Sequence, residues 1–375
     1  MIYTEEVNTK HQLKLFIDFP HDLYKEDVNY VPELFIAQRD LLTPGKHPFH
    51  EHSLVQLFLV YENLHIKGRI AAILNNNHNS YNNTADGFFG FFDCVNDQEI
   101  ANALFTAAAN WLHAKEVKNI TGPVNPSTNE PCGLLVEGFD KPAVAMMVYN
   151  KPYYGKLLET FGFAKNVDLL AYDIAIDNIN DRPVKLEKAL TERLQRKNII
   201  IRTLNMKDFK NEVAKVKEVY NAAWDKNTGF VPFTDNEFNY LAKDLKLIVD
   251  KKLCLLAEHD GKLVGFALAI PDINQTLIKV KRGRLLPTGI IRLLLGLKKI
   301  NNVRVIALGV IEGYKKQGIE ACFYAGIIKR AAERKMRGGE ASWILEHNDL
   351  MNRGIKNMNG RLYKKYRIYK KSLHE

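Results

Sequence analysis

The stretch Arg304-Val-Ile-Ala-Leu-Gly-Val-Ile-Glu-Gly-Tyr-Lys-Lys-Gln-Gly-Ile-Glu-Ala-Cys-Phe-Tyr324 constrains the fold more than any other part of this 375-residue chain. Its apolar, β-branched run predicts a buried strand over 303–310, a short basic turn bearing glycines over 312–318, and a long helix from 319 to about 336. A strand that feeds a glycine turn at a helix start makes an anion cradle. The first helical N–H groups have no internal partner, and the helix dipole favours negative charge there. Lys315 and Lys316 add positive charge to the same turn. The spacing is neither that of a P-loop, G-x-x-x-x-G-K-[ST], nor G-x-G-x-x-G.

The turn resembles the acyl-CoA pyrophosphate loop of the GNAT acyltransferase superfamily, [RQ]-x-x-G-x-[GA], which follows a strand ending in a hydrophobic residue, a small residue and Val. Lys315 takes the Arg/Gln place, Gly318 the first glycine and Glu320 the last small position. The sequence around it follows the same order. Residues 340–346 alternate like a strand, His347-Asn348-Asp349 supplies helix-cap chemistry, 350–358 reads as a helix ended by Asn359-Gly360, and 361–371 is a basic strand region read as a solvated edge. Upstream, 253–269 is a hairpin turning at Asp260-Gly261. The resemblance covers about 198–371. It implies acyl-CoA or CoA as cofactor, with a carrier-protein thioester as a variant. It places that cofactor on Leu308, Val310, Tyr314, Lys315, Lys316, Gln317, Gly318, Ile319 and Asn348.

The first half repeats the order more faintly. Hairpin strands at 55–61 and 68–74 turn around Glu62-Asn63. A buried strand follows at 87–94, then a helix at 97–115, a strand at 117–122, a helix at 150–160 and a strand at 168–174. Asn150 precedes Gly162 by the same interval as Asn348 precedes Gly360. The fold class expected is α/β (α+β), with two GNAT-like domains in tandem over 1–180 and 181–375. Each would be a mixed, mostly antiparallel twisted sheet flanked by helices. Where the second half has its basic turn, the first has Val95-Asn-Asp-Gln-Glu99, acidic and without glycine. The thioester site therefore belongs to the second half.

Hydrophobic content of 46% and charged content of 26% mark a globular chain, not a disordered one. The N-terminal sequence lacks a basic and apolar leader, and Cys94, Cys132, Cys254 and Cys322 show neither metal nor disulfide spacing. The expected setting is cytoplasmic, with or without peripheral attachment at the inner membrane surface. The net charge of +10 is concentrated. Residues 273–311 hold eight Lys/Arg and no Asp/Glu, around the apolar stretch Leu285–Leu297. That stretch is too short and broken to span a bilayer. It suits a peripheral helix, an anionic membrane surface, an acidic carrier protein or the wall of a long-acyl trench. Nucleic acid is not an expected partner. The acceptor class is a small-molecule or lipid amine.

The loop 122–140 is long and proline-braced, and offers Asn125, Asn129 and Glu130 toward an acceptor, together with Trp224 and Asn227 from the segment 224–230. His47, His50 and His52 cluster near Pro48 without a further ligand motif, so no metal site is assigned. GNAT-type transfer implies a carboxylate that takes the amine's proton, for which Glu346 or Glu312 stand, and a tyrosine that protonates the leaving thiolate. The family's tyrosine position, seven after Asn348, is Ile355, leaving Tyr324 or Tyr363 as substitutes. Three readings remain open at this point: an N-acyltransferase using an acyl thioester, an aminoacyl-tRNA-dependent transferase of the Fem type, and a degenerate pair acting as a binding module.

Overall fold

A computed structural model describes residues 1–180, 182–225 and 229–373. In chain order, the first part runs β1 (Ile2–Glu6), α1 (Lys10–Leu23), α2 (Phe35–Leu41), β2 (Ser53–Glu62), β3 (His65–Asn75), α3 (Asn76–Asn82), β4 (Asp86–Cys94), α4 (Gln98–His113), β5 (Asn119–Gly122), β6 (Leu134–Glu137), α5 (Tyr154–Thr160) and β7 (Ala164–Ala175). Then come α6 (Arg182–Gln195), β8 (Ile199–Thr203), α7 (Phe209–Trp224), α8 (Asp235–Leu245), β9 (Cys254–His259), β10 (Lys262–Pro271), α9 (Asn274–Leu277) and α10 (Gly289–Leu297). The chain closes with β11 (Asn302–Val310), α11 (Ile319–Glu333), β12 (Gly338–Leu345), α12 (Asp349–Asn357) and β13 (Arg361–Ser372).

The sequence suggests one cut near residue 180. The structure groups the chain as Met1–Leu169, Asn274–Lys298 and Lys364–Glu375 in one unit, and Leu170–Ile273 with Lys299–Tyr363 in the other. Two strands are divided between the units, β7 after Leu169 and β13 after Tyr363. The segment carrying α9 and α10 interrupts the second unit in sequence and belongs to the first.

In the first unit β1, β2, β3 and β4 pair antiparallel in turn, β4 pairs β5 in parallel, and β13 pairs both β5 and β6 antiparallel. The β2–β3 turn is Asn63-Leu64, one residue later than expected, with φ of 48° and 65°. Both are left-handed, which matches a two-residue hairpin turn to the strand twist. α4 lays Ile100, Leu104, Phe105, Ala108 and Leu112 against Val60, Ile70 and Phe89. Each fully buried leucine, isoleucine, valine or phenylalanine among them contributes about 1.5–3 kcal/mol.

Beneath α1 lies a buried polar network. Arg69 Nε donates to Asp93 Oδ2 at 2.8 Å, Tyr24 and Tyr154 hydroxyls donate to Asp93 Oδ1 at 2.9 and 3.3 Å, and Arg69 Nη1 donates to Phe16 O at 3.0 Å. Burial pushes the Asp93 carboxyl up, opposed chiefly by the Arg69 charge.

The C-terminal run does not form a solvated edge. β13 is an interior strand, and its Tyr366, Ile368 and Tyr369 are buried. The buried Lys364 donates its ammonium to the carbonyls of Gly138 and Lys141, both at 2.6 Å.

In the second unit the order is β7-β12-β11-β10-β9-β8. β11 and β12 are parallel, and β8 to β11 are antiparallel. α6 and α11 pack with Leu194, Ile199, Leu255 and Val310 in one cluster. α7 packs with Leu256, Phe266 and Leu268 in another.

Candidate active site

β11 and β12 pair for four residues, from Asn302↔Gly338 to Val305↔Ala341, and then part. β11 continues beside β10 as far as Val310↔Gly265, with an irregularity opposite Leu268/Ala269 that leaves Ile306 as the extra residue. A bulge bends the strand and interrupts its ladder, here at the point of parting. Ile306, Ala307 and Leu308 lie mid-strand yet remain half-exposed, while Gly309 and Val310 are buried. A glycine is required at 309, because a Cβ there would sit 2.2 Å from the Trp224 ring.

The turn after β11 is held from within. Tyr314 N–H donates to Ile311 O at 3.2 Å, Gln317 Nε2 donates to Gly313 O at 2.9 Å, and the Tyr314 hydroxyl pairs with His259 Nδ1 at 2.7 Å. Lys315 Nζ reaches Glu312 at 3.0 Å, both on the solvent side. Lys316 and Gly318 take left-handed φ of 63° and 103°. Gly318 then stands as N-cap of α11 and offers no side chain to the first turn, whose one acid is Glu320. The other N-termini that matter are plugged. Asn348 Oδ1 accepts from Met351 N–H in α12, and Asp97 Oδ1 accepts from Glu99 and Ile100 N–H in α4. An open first turn, left-handed backbone and two adjacent lysines fit a pyrophosphate.

The corresponding place in the first unit is closed by its own chain. Past the end of β5, Val124 N–H donates to Phe89 O at 2.8 Å, and Asn125 Oδ1 accepts from Phe91 N–H at 2.6 Å. A Cβ on Gly90 would come within 1.7 Å of Val124 O. Val124 also bridges to Cys132, so the long loop folds along β4 where a bound molecule would need to lie. Asn125 thus holds backbone, as does Asn150. Instead of capping a helix, Asn150 accepts from Leu135 N–H at 2.7 Å and donates to Leu135 O at 3.1 Å. α5 starts at Tyr154 instead.

Asn129 N–H donates to Ser127 Oγ at 3.2 Å, and Glu130 is half-buried beside it. Both lie in the first unit. Trp224 lies in the second, stacked on Tyr220 with centroids 4.7 Å apart and packed on Phe266. Asn227 lies outside the described residues. The histidines serve the fold: His47 Nδ1 accepts from Phe49 N–H, His50 Nε2 pairs with Leu41 O, and His52 Nδ1 pairs with Ser53 Oγ.

Of the candidate proton carriers, Glu346 is half-buried just past β12, beyond the point of parting. Glu312 is engaged by Lys315 on the turn. Tyr324 sits on α11 in a cluster with Tyr172, Ile344 and Ile355. Burial, with Glu320 one turn away, pushes its phenol far above the ordinary range, so it keeps its proton. Tyr363 donates its hydroxyl to Glu340 Oε2, and Ser342 donates to Glu340 Oε1. Arg304 Nε donates to Ser342 Oγ at 3.1 Å and its guanidinium stands 5.0 Å from the Trp343 centroid. Arg304, Glu340 and Ser342 are all buried. Sequence reading missed this network, since Arg304 and Glu340 stand in runs patterned as ordinary strands. The only signal is that they fall in register across parallel strands.

No protein-family model matches the chain. Protein YghO of Escherichia coli (strain K12) is 35% identical over 370 residues, covering 97% of this chain and 94% of that protein. The bacterial ceramide synthase of Caulobacter vibrioides is 35% identical over 374 residues, covering 98% of this chain and 96% of that protein. A tandem GNAT protein from the clavulanic acid biosynthesis pathway matches in fold with a TM-score of 0.60 at 10% identity, over 100% of this chain and 99% of that one. The chain belongs to the same family as Protein YghO and the bacterial ceramide synthase, and its fold is that of the tandem GNAT proteins. The parted strands and open helix start of this acyltransferase lie in its second unit.

Proposed function

We propose that the protein joins an acyl group, carried as a coenzyme A or carrier-protein thioester, to the amine of a long-chain amino alcohol. The observation that carries this reading is full-length 35% identity to a protein named as a ceramide synthase, whose product is an N-acylated long-chain base. The cradle of Lys315, Lys316 and Gly318 supports a thioester donor. When bound, that donor supplies an activated acyl carbonyl. The amine nitrogen forms the new C–N bond as the C–S bond breaks, and the sulfur leaves as a thiol. Glu346 takes the proton the amine sheds. The leaving sulfur takes its proton from solvent, because burial makes the Tyr324 phenol a weaker acid than a thiol.

A lipid acceptor requires access to a bilayer, and α10 supports an interfacial placement. Leu286, Ile291, Leu294 and Leu295 are 79%, 56%, 58% and 68% exposed, so this stretch does not wall a trench as its composition suggests. Among the described residues Lys279, Lys281, Lys298 and Lys299 form no ion pair, whereas Arg282 and Arg284 are spent on Asp22 and Asp18. An apolar helix between unpaired lysines suits an anionic membrane surface. No helix among the described residues is long and apolar enough to cross a membrane.

Hexadecanoyl-CoA, sphinganine and phosphatidylglycerol vesicles provide the test. Mass spectrometry should detect the N-acyl amide, and the Ile291→Glu/Leu294→Glu double variant should no longer sediment with vesicles. No amide from any pairing of thioester and long-chain amine would refute the activity. Vesicle binding that survives in the double variant, with loss of a dimer, would mark α10 as an interface between copies instead.

A further inference from the structure

The second unit contains a cavity that none of the groups above occupies. It lies between α7, α8 and the sheet strands β9 and β10, is open on one side, and measures about 80 Å³. Phe209 and Val213 come from α7, Leu241 and Ala242 from α8, Cys254 from β9 and Leu268 from β10. Protein interiors are close-packed, with few voids larger than a water molecule, and about 10–15 Å³ is enough for one water, so a space several times larger under two amphipathic helices is not ordinary packing.

The lining selects its occupant. Every lining residue is hydrophobic, and the one sulfur acid, Cys254, has its thiol pushed up to about 12 by burial and stays uncharged. An apolar cavity stays dry and accepts apolar guests, while a polar group entering it would lose its hydrogen bonds to water without replacement. The position is equally telling. The lining residues Ala267 and Leu268 of β10 pair with Leu308 and Ala307 of β11, the strand whose other edge opens where β12 parts from it. The floor of the cavity is thus one strand, about 4.8 Å, from the edge that borders the candidate cofactor groove.

We infer that this cavity holds a single unbranched alkyl chain of a substrate during acyl transfer. The inference rests on the acyl-transfer reading above, and it assigns the selectivity for chain length to α7 and α8 in place of the Leu285–Leu297 stretch. A fatty acyl donor and a long-chain amine both bring such a chain, and the test separates them.

Val213→Trp fills the cavity from the half-buried α7 side, and Ala242→Phe fills it from α8. With the full-length protein, amide formation is measured in two series. Hexanoyl- and hexadecanoyl-CoA are compared with one fixed amine, and octylamine and octadecylamine with one fixed thioester. The long-to-short rate ratio should fall at least tenfold in one series for either variant, and that series names the chain. Unchanged ratios in both series, in variants that melt as the wild type does, would overturn the inference. Calorimetry with hexadecanoate keeps the two readings apart. Binding by the wild type that Val213→Trp abolishes sustains the cavity even if no amide forms. A wild type that does not bind hexadecanoate, and shows no chain-length preference in either series, contradicts it.

Discussion

Replacing Gly318 with tryptophan is expected to weaken coenzyme A binding by at least a hundredfold, which is about 2.7 kcal/mol. Two effects combine. A φ of 103° is a backbone state that non-glycine residues hold only at a cost of about 1–3 kcal/mol. A Cβ there also meets Leu190 Cδ2 at 3.3 Å, and the indole beyond it would stand over the first-turn N–H groups of α11. Isothermal calorimetry reads the loss. Gly318→Ala separates the effects, because it keeps the strain and removes most of the bulk, so its binding should fall between the two. Undiminished binding in Gly318→Trp, with a normal melting profile, would place the cofactor elsewhere.

Asp93→Ala should cost the first unit about 3–5 kcal/mol of stability, the range for removing one partner of a buried ion pair. Asp93 and Arg69 are 7% and 5% exposed, and the carboxylate also receives the Tyr24 and Tyr154 hydroxyls. Truncation leaves the guanidinium in the core without its carboxylate partner, holding Phe16 O and the Phe16 ring, 4.9 Å from its carbon. Tyr24→Phe removes one donor and leaves the pair intact, so its cost should stay near 1 kcal/mol. Urea unfolding of the two variants measures both. A loss below 1 kcal/mol for Asp93→Ala would mean that water enters the network and that it does not anchor α1 to the sheet.

Local chemistry was legible in the sequence where one short segment determines it. The β11–turn–α11 order, the Asp260-Gly261 hairpin and the Asn348 cap all appear as read, since each depends on a few adjacent residues. Features set by distant partners were not. Asn150 and Asn348 share a spacing to glycine, but Asn150 meets the backbone of β6, fifteen residues back, and leaves no helix to cap. The basic run of β13 reads as an edge because six of its twelve residues are lysine or arginine. Its burial comes from β5 and β6, which no local pattern announces. The apolar cavity is spread over two helices and two strands, each of which looks like ordinary core by itself. Leu285–Leu297 shows the reverse case: hydrophobic periodicity identifies an apolar helix and says nothing of whether protein covers it.

The second unit alone should receive the thioester cofactor, because its helix start is open while that of the first unit is closed by Asp97. Hydrogen–deuterium exchange with and without coenzyme A tests this directly, reading both helix starts in one experiment. Slowed exchange over residues 316–321, with no change over 97–101, is the expected result. Protection at 97–101, or a saturating ligand that leaves 316–321 unprotected, would contradict the assignment.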